Sequence, residues 1–216
     1  MRGQGRTNDP EGVRRRIVDA AYEAFVHRGY LATGMLEIRD KAAVSGGAMA
    51  HHFPAKRDLG LAVIRDRVAG AVAHTWIEPL DACADAPSAI DRIFATIIDE
   101  LKRKGSVSGC PLNNMAMEIS AHDADMRAAL NAVFVTWQQA LRAKFQRDIA
   151  SGRASDLRPG RFATLVIAAY SGAIAMAKAR QEVQPLIDCR SELASLIAPK
   201  YRRPRRGRRR AGGRDA

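Results

Sequence analysis

Residues Ile38–Phe53 read Ile-Arg-Asp-Lys-Ala-Ala-Val-Ser-Gly-Gly-Ala-Met-Ala-His-His-Phe, and this stretch decides the fold. Met35, Ile38 and Ala42 fall on one helical face, since residues three and four apart are neighbours on a helix. Val44 follows as an apolar plug. Ser45 occupies an N-cap position, its hydroxyl placed to accept from a backbone N–H one turn on. Ala48, His52 and Phe53 restart the helical spacing, and Pro54 ends it. Two helices with so few residues between them match a helix-turn-helix, whose second helix enters the DNA major groove. That helix, Gly46 to His52, measures roughly 10 Å at the usual rise per residue. It is too short to be stable alone, so the chain must supply a scaffold.

Working outward, Asp9-Pro10-Glu11 reads as a helix start, with a capping Asp and Pro in the first turn. Val13, Ile17, Ala21, Ala24 and Phe25 give the apolar stripe, and Gly29 the positive-φ stop. Arg14, Arg15 and Arg16 are expected on the solvent side, with one or two at phosphate. Thr33 is expected to cap the second helix, whose N-terminus faces a phosphate. Lys56 is a second phosphate candidate. His51 is expected to face DNA and His52 to pack beside Phe53. Adjacent histidines on a helix point about 100° apart, so no shared metal ion is expected.

The segment from Arg15 to Leu59 resembles the DNA-binding domain of the tetracycline-repressor (TetR) family. The matching residues are Ile17, Ala20, Ala21, Phe25, Gly29, Tyr30, Thr33, Ile38, Ala42, Val44, Ser45, Gly47, His52, Phe53, Lys56 and Leu59. Three positions depart from the pattern. Ala43 stands where the family has a turn glycine, Gly46 where a lysine is common, and Ala50 where a tyrosine normally touches the phosphate backbone. Arg39 and Lys41 make the second helix more basic than usual. The resemblance implies an all-α fold, an N-terminal three-helix domain with the helix-turn-helix plus a larger helical effector and dimerisation domain. The expected division is a flexible arm at 1–9, the DNA-binding domain at 10–57, the effector domain at 58–199 and a disordered basic tail at 200–216.

Charge follows the same division. The 216 residues carry a net +12, but residues 1–57 hold +4, residues 58–199 are neutral, and residues 200–216 hold +8. A neutral body with basic extremities suits a nucleic-acid partner. The tail is expected to add sequence-independent affinity through counterion release. Three cysteines without close pairing fit a reducing cytoplasm. No apolar signal sequence opens the chain, and the apolar run Phe162 to Ala177 falls short of the roughly 20 residues that span a bilayer. No membrane partner is expected.

In the body, a long helix reads from about Asp58 to Pro79, leaving the DNA-reading unit as a natural lever between domains. Helices are expected over 88–104, from Pro111, over 123–149, over 161–183 and over 186–197. Gly109-Cys110-Pro111-Leu112, with Glu118, Ser120 and Asp123, resembles the effector domain of one TetR subgroup. Asn114 and Glu118 are polar groups in an otherwise apolar helix, fit to orient a ligand or to satisfy neighbouring backbone. Trp76, Met115, Phe134, Trp137 and Tyr170 are candidates to line an apolar pocket, with plain core packing as the alternative. Cys110, a further ligand candidate, opens a helix, a setting that lowers a thiol pKa; the alternative is a small buried cap residue under a flexible loop. The small residues of 161–183 suit close helix packing, and the resemblance implies that the last two helices pair with those of a second subunit.

No phosphate-cradling glycine loop, Cys-x-x-Cys pair, His-Glu-x-x-His or Gly-x-Ser-x-Gly occurs, so neither an enzyme nor a cofactor is expected. The reading is a sequence-specific DNA-binding regulator, a repressor released from a palindromic operator by a small-molecule effector. The alternative is a basic architectural protein indifferent to sequence. Ser45, Gly46, Gly47, Ala48 and His51 are the expected base-facing residues, with Thr33 and Lys56 on phosphate. Small residues there favour close backbone approach and contact with thymine methyls.

Overall fold

The computed structural model describes residues 9–201. Asp9 starts α1 (Pro10–Arg28): its carboxylate accepts the Gly12 N–H at 2.8 Å, and Pro10 presets φ in the first turn. Ile17, Val18, Ala21 and Phe25 face inward, and Gly29 ends the helix at φ 91°. α2 (Met35–Ala42) and α3 (Gly46–His52) pack on that stripe through Ile38, Ala42 and Met49. Ser45 caps α3 as its sequence position requires, accepting the Ala48 N–H at 3.1 Å. The turn between them closes with Ala43 N–H on the Asp40 carbonyl and Val44 N–H on the Arg39 carbonyl. Ala43 itself sits in the left-handed region, φ 53° and ψ 49°.

Thr33 departs from expectation. Gly34, not Thr33, is the N-cap of α2, and no side chain caps it. The Thr33 side chain is buried, 1% exposed, and its hydroxyl donates to the Gly29 carbonyl at 2.7 Å. It ties the end of α1 to the start of α2.

From Lys56 to Asp81 the chain forms one continuous helical rod. Three α-helical pieces, α4 (Lys56–Val63), α5 (Ala69–Val72) and α6 (Glu78–Asp81), are joined by two π-helical turns at Ile64–Val68 and Ala73–Ile77. The sequence explains the π turns. Ile64, Val68, Val72, Trp76 and Leu80 repeat every fourth residue, and all are buried. In an ideal α-helix each such step drifts about 40°, so Leu80 would end up nearly opposite Ile64. A wider i→i+5 turn absorbs that drift. Burial of all five side chains on one face holds the rod in this underwound form.

Against the rod pack α7 (Ala86–Lys104), α8 (Pro111–Ile119) and α9 (Ala124–Ala150), then α10 (Pro159–Arg180) and α11 (Gln184–Ile197). Local signals set the ends. Asp85 accepts the Ser88 N–H at 2.9 Å, Asp123 accepts the Met126 N–H at 2.8 Å, and Gly105 closes α7 at φ 66°. Trp76, Phe94, Trp137 and Tyr170 meet at the centre, with Trp76 4.8 Å from both Trp137 and Tyr170 between ring centroids. By length and composition α10 is long and apolar enough to cross a membrane, longer than the apolar run suggested. Its inner face instead packs on α9 and α11 through Ala163, Val166, Tyr170, Ala173 and Ala177.

At the end of the body remote from α3, Asp148 is buried and accepts the Ala86 N–H and the Tyr201 hydroxyl, both at 2.7 Å. Ala154 pairs with Tyr201 in an isolated antiparallel bridge. Lys200 and Tyr201, read from sequence as the start of the tail, are therefore folded onto the body. Arg2, Arg6 and the basic run beginning at Arg202 lie outside the described residues.

Candidate nucleic-acid interface

The recognition helix α3 turns Met49 and the following Phe53 into the core, at 5% and 4% exposure. Of Ala48, His52 and Phe53, the residues that the spacing indicates, Phe53 is buried and the other two are only half-buried. Gly46, Gly47, Ala50 and His51 are consequently the outward face, at the i, i+1, i+4 and i+5 positions of one helical side. Ser45 is exposed at the tip, its oxygen held by the cap. Ala48 lies on the flank. Neither Gly46 nor Gly47 needs positive φ, and a Cβ built on either meets nothing within 4 Å. The fold of the chain gives no reason for glycine there, although glycine weakens a helix by up to about 1 kcal/mol relative to alanine.

Most cations near this face are already paired. Lys41 meets Glu23 at 2.7 Å, Arg39 meets Asp40 at 2.5 Å, and Arg28 pairs with Glu37. Arg14 pairs with Asp66 at 2.9 Å and lies 5.6 Å above the Phe53 ring, so it braces the helices. Arg15 and Arg16 are exposed and have no ion pair among the described residues. They are the α1 cations without a protein partner among the described residues. The Thr33 hydroxyl is committed to backbone, which removes it from the set of phosphate donors. His51 and His52 meet edge to face at 5.2 Å, and no group of three or more metal-binding side chains occurs among the described residues.

Behind α3, the turn after α1 is gripped by the body. The Glu118 carboxylate accepts the Tyr30 N–H at 2.8 Å and the Leu31 N–H at 2.5 Å. Lys56 sits 4.5 Å over the Tyr30 ring and donates to the Leu31 carbonyl at 3.3 Å. Partial burial pushes the Lys56 pKa down, with Glu118 opposing. Arg57 bonds Asp123 at 2.7 Å and also reaches Asp125. The Met126 N–H foremost, helped by Arg57, holds the Asp123 carboxyl below its usual range against an opposing desolvation. Sequence reasoning named Glu118 and Lys56 but missed this clamp, because its partners are backbone groups 87 and 88 residues from Glu118.

This architecture has close counterparts. Residues 17–63 match the family described as bacterial regulatory proteins, tetR family. Residues 86–192 match the C-terminal domain of the LmrA/YxaF-like transcriptional regulators. The chain belongs to the TetR family. Among its relatives, the HTH-type transcriptional repressor DhaR of Mycobacterium sp. (strain GP1) is 27% identical over 179 residues, 81% of this chain and 86% of DhaR. The HTH-type transcriptional regulator LmrA of Bacillus subtilis is 22% identical over 85% of this chain and 96% of its own length. A TetR transcriptional regulator from Chloroflexus aurantiacus superposes with a TM-score of 0.80 at 26% identity, covering 90% of this chain and 98% of that one.

In this TetR-family chain the side chains expected to receive a ligand are mostly engaged with one another. Trp76, Trp137, Tyr170 and Met115 are buried core, and Phe134 stacks on Trp137 at 6.4 Å. The cavity beside Trp76, Cys110 and Tyr170 holds only about 50 Å³, far below the roughly 300 Å³ at which ligand pockets begin. Asn114 donates to the Ser108 carbonyl at 2.9 Å, and Glu118 serves the clamp. Cys110 is buried, and desolvation pushes its thiol pKa up. The helix-start N–H groups of Asn113 and Leu112 pull the other way and do not prevail, as suits a buried cap residue rather than an activated thiol.

A larger space lies elsewhere. Between the rod and α9 is a cleft of about 820 Å³ lined by Leu61, Ile64, Arg65, Ala69, Gly70, Val72, Ala73 and Ile77 on one side. Asp125, Ala128, Ala129, Ala132, Val133 and Thr136 form the other. None of the eight expected ligand residues lines it.

Proposed function

We propose that this TetR-family chain acts as a homodimeric repressor that reads a palindromic operator through the outward face of α3. A small effector entering the cleft between the rod and α9 releases it. The observation that carries the DNA reading is the open face of Gly46, Gly47, Ala50 and His51, where glycine serves no intramolecular purpose. Groups this small let the helix backbone approach base edges closely and favour contact with thymine methyls. His51 supplies a donor, Arg15, Arg16 and Lys56 supply phosphate contacts, and the α2 N-terminus adds uncapped N–H groups.

Dimerisation rests on the outer surface of α10 and α11. Leu165 (41%), Met176 (48%) and Leu196 (55%) are exposed there, with Ala168, Gly172, Ala175 and Ala179 between them on α10. Small residues let a second copy approach closely. A two-fold pair would set two α3 helices about one duplex turn, roughly 34 Å, apart.

The cleft and the reader share one rod. Leu61, Ile64 and Arg65 line the cleft, while Lys56 and Arg57 at the start of the same rod hold the α1–α2 turn and α9. An effector that favours a wider separation of rod and α9 therefore shifts the population toward dimers whose readers no longer match the groove spacing. Such a regulator works on the chromosome, in the cytoplasm.

Footprinting on genomic DNA tests the DNA reading. A discrete protected palindrome is expected; uniform, salt-governed protection would favour an architectural role instead.

A further inference from the structure

We infer that the cleft between the rod and α9 takes an elongated apolar anion, with Arg65 receiving its negative group. This rests on the reading of the cleft as the effector site and adds the ligand's chemical class. Ten of the fourteen lining residues are aliphatic: Leu61, Ile64, Ala69, Val72, Ala73 and Ile77 on the rod, and Ala128, Ala129, Ala132 and Val133 on α9. The remaining polar side chains are Arg65, Asp125 and Thr136. Two of these are already occupied. Asp125 shares the Arg57 guanidinium with Asp123, and the Thr136 hydroxyl donates to the Ala132 carbonyl at 3.0 Å. Arg65 is exposed and makes no ion pair among the described residues; its neighbour Asp66 is held by Arg14. The charged side chain of the lining that has no partner among the described residues is therefore one guanidinium, a group whose planar fork suits a carboxylate or a similar oxyanion.

The shape of the site follows from the rod. Lining residues run from Leu61 to Ile77, a span of about 24 Å at the helical rise. Arg65 lies one turn from the Leu61 end, so the anionic group is held toward the DNA-reading domain and the apolar body extends toward Ile77. Leu61, Ala69 and Ala73 stand four or eight residues from Arg65 and form the wall beside it. A neutral ligand would leave the guanidinium without a partner. A cation would be repelled by it.

Fluorescence titration with two probes tests this. 1-Anilinonaphthalene-8-sulfonate is an apolar anion, and N-phenyl-1-naphthylamine has the same aromatic body without the sulfonate. Arg65→Gln is expected to weaken the sulfonate probe by about five- to tenfold, the effect of losing one exposed charge-assisted pair, and to leave the neutral probe within twofold. Ala132→Trp, which fills the cleft from its exposed α9 side, is expected to weaken both. If Arg65→Gln affects both probes equally or neither, the anion assignment is overturned while the cleft stands as a binding site. If Ala132→Trp leaves both unchanged, the probes bind elsewhere, and the reading of the cleft as the effector site is overturned with it.

Discussion

The Glu118 carboxylate in α8 receives the backbone N–H of Tyr30 at 2.8 Å, joining the effector body directly to the turn that precedes α2. The Leu31 N–H completes a two-pronged grip. Gly29 is shaped to this contact: its φ is 91°, and a Cβ there would lie 3.0 Å from both Glu118 oxygens. The grip acts on main-chain N–H groups, which cannot rotate away as side chains do.

Removing the carboxylate should release the turn. Glu118→Ala leaves the half-buried Tyr30 N–H and the exposed Leu31 N–H without their acceptor and is expected to cost about 1 kcal/mol. Amide hydrogen exchange at Tyr30 and Leu31 is expected to accelerate, with operator affinity reduced. Unchanged exchange at those two positions would show that the grip does not persist in solution.

Ala43 holds a left-handed conformation that an L side chain adopts at a cost of about 1 kcal/mol. Ala43→Gly is expected to stabilise the protein by about that amount, offset in part by greater freedom of the unfolded chain. Urea unfolding gives the answer. A destabilised variant would mean that the Ala43 methyl group contributes packing that outweighs the strain.

The open face of α3 makes the opposite kind of prediction. Gly47→Ala is expected to leave stability unchanged or raise it by up to about 1 kcal/mol, since the added methyl meets nothing in the chain. Operator binding is expected to fall by about tenfold, equivalent to one lost base contact. Electrophoretic mobility shifts with the mapped operator decide it, and undiminished affinity would remove Gly47 from the interface.

The ion pair between α7 and α11 should show in acid. Arg190 donates to both Asp91 oxygens, at 2.6 and 2.8 Å, and holds that carboxyl below its usual range against a smaller opposing desolvation. A carboxyl depressed on folding stabilises the native state above its unfolded pKa of about 3.9 and loses that contribution as pH falls through the folded value. Both side chains are substantially exposed, so solvent screening keeps the effect small: Arg190→Gln is expected to cost about 0.5 kcal/mol at pH 7. The variant and the parent should converge as pH falls through the folded value. A difference that persists unchanged through the acid limb would assign the effect to packing rather than charge.

Several features were legible along the chain because their causes are local. Ser45 caps the helix it precedes, Asp9 and Gly29 bound α1, and Asp123 starts α9, each through groups within four residues. The all-α fold and the helix-turn-helix follow from such signals and from periodic apolar faces. Even the π turns of the rod were present in the spacing of Ile64, Val68, Val72, Trp76 and Leu80, although a search for ideal helical periodicity passes over a repeat of four. In α3, seven residues were too few to distinguish Met49 from its neighbour Ala48 as the side chain that turns inward with Phe53.

Tertiary structure decided what depends on groups far apart in sequence. Glu118 carries no mark that separates a ligand-orienting carboxylate from one bonded to the backbone of Tyr30 and Leu31. Cys110 opens a helix, yet burial among Trp76 and Tyr170 outweighs the N–H groups that would activate it. The aromatic residues that suggested a pocket fill their own space, while the cleft opens along a wall of alanines on α9. Sequence order fixes which side chains share a helical face; whether a face meets a neighbour, a void or solvent depends on how helices distant along the chain are set against one another.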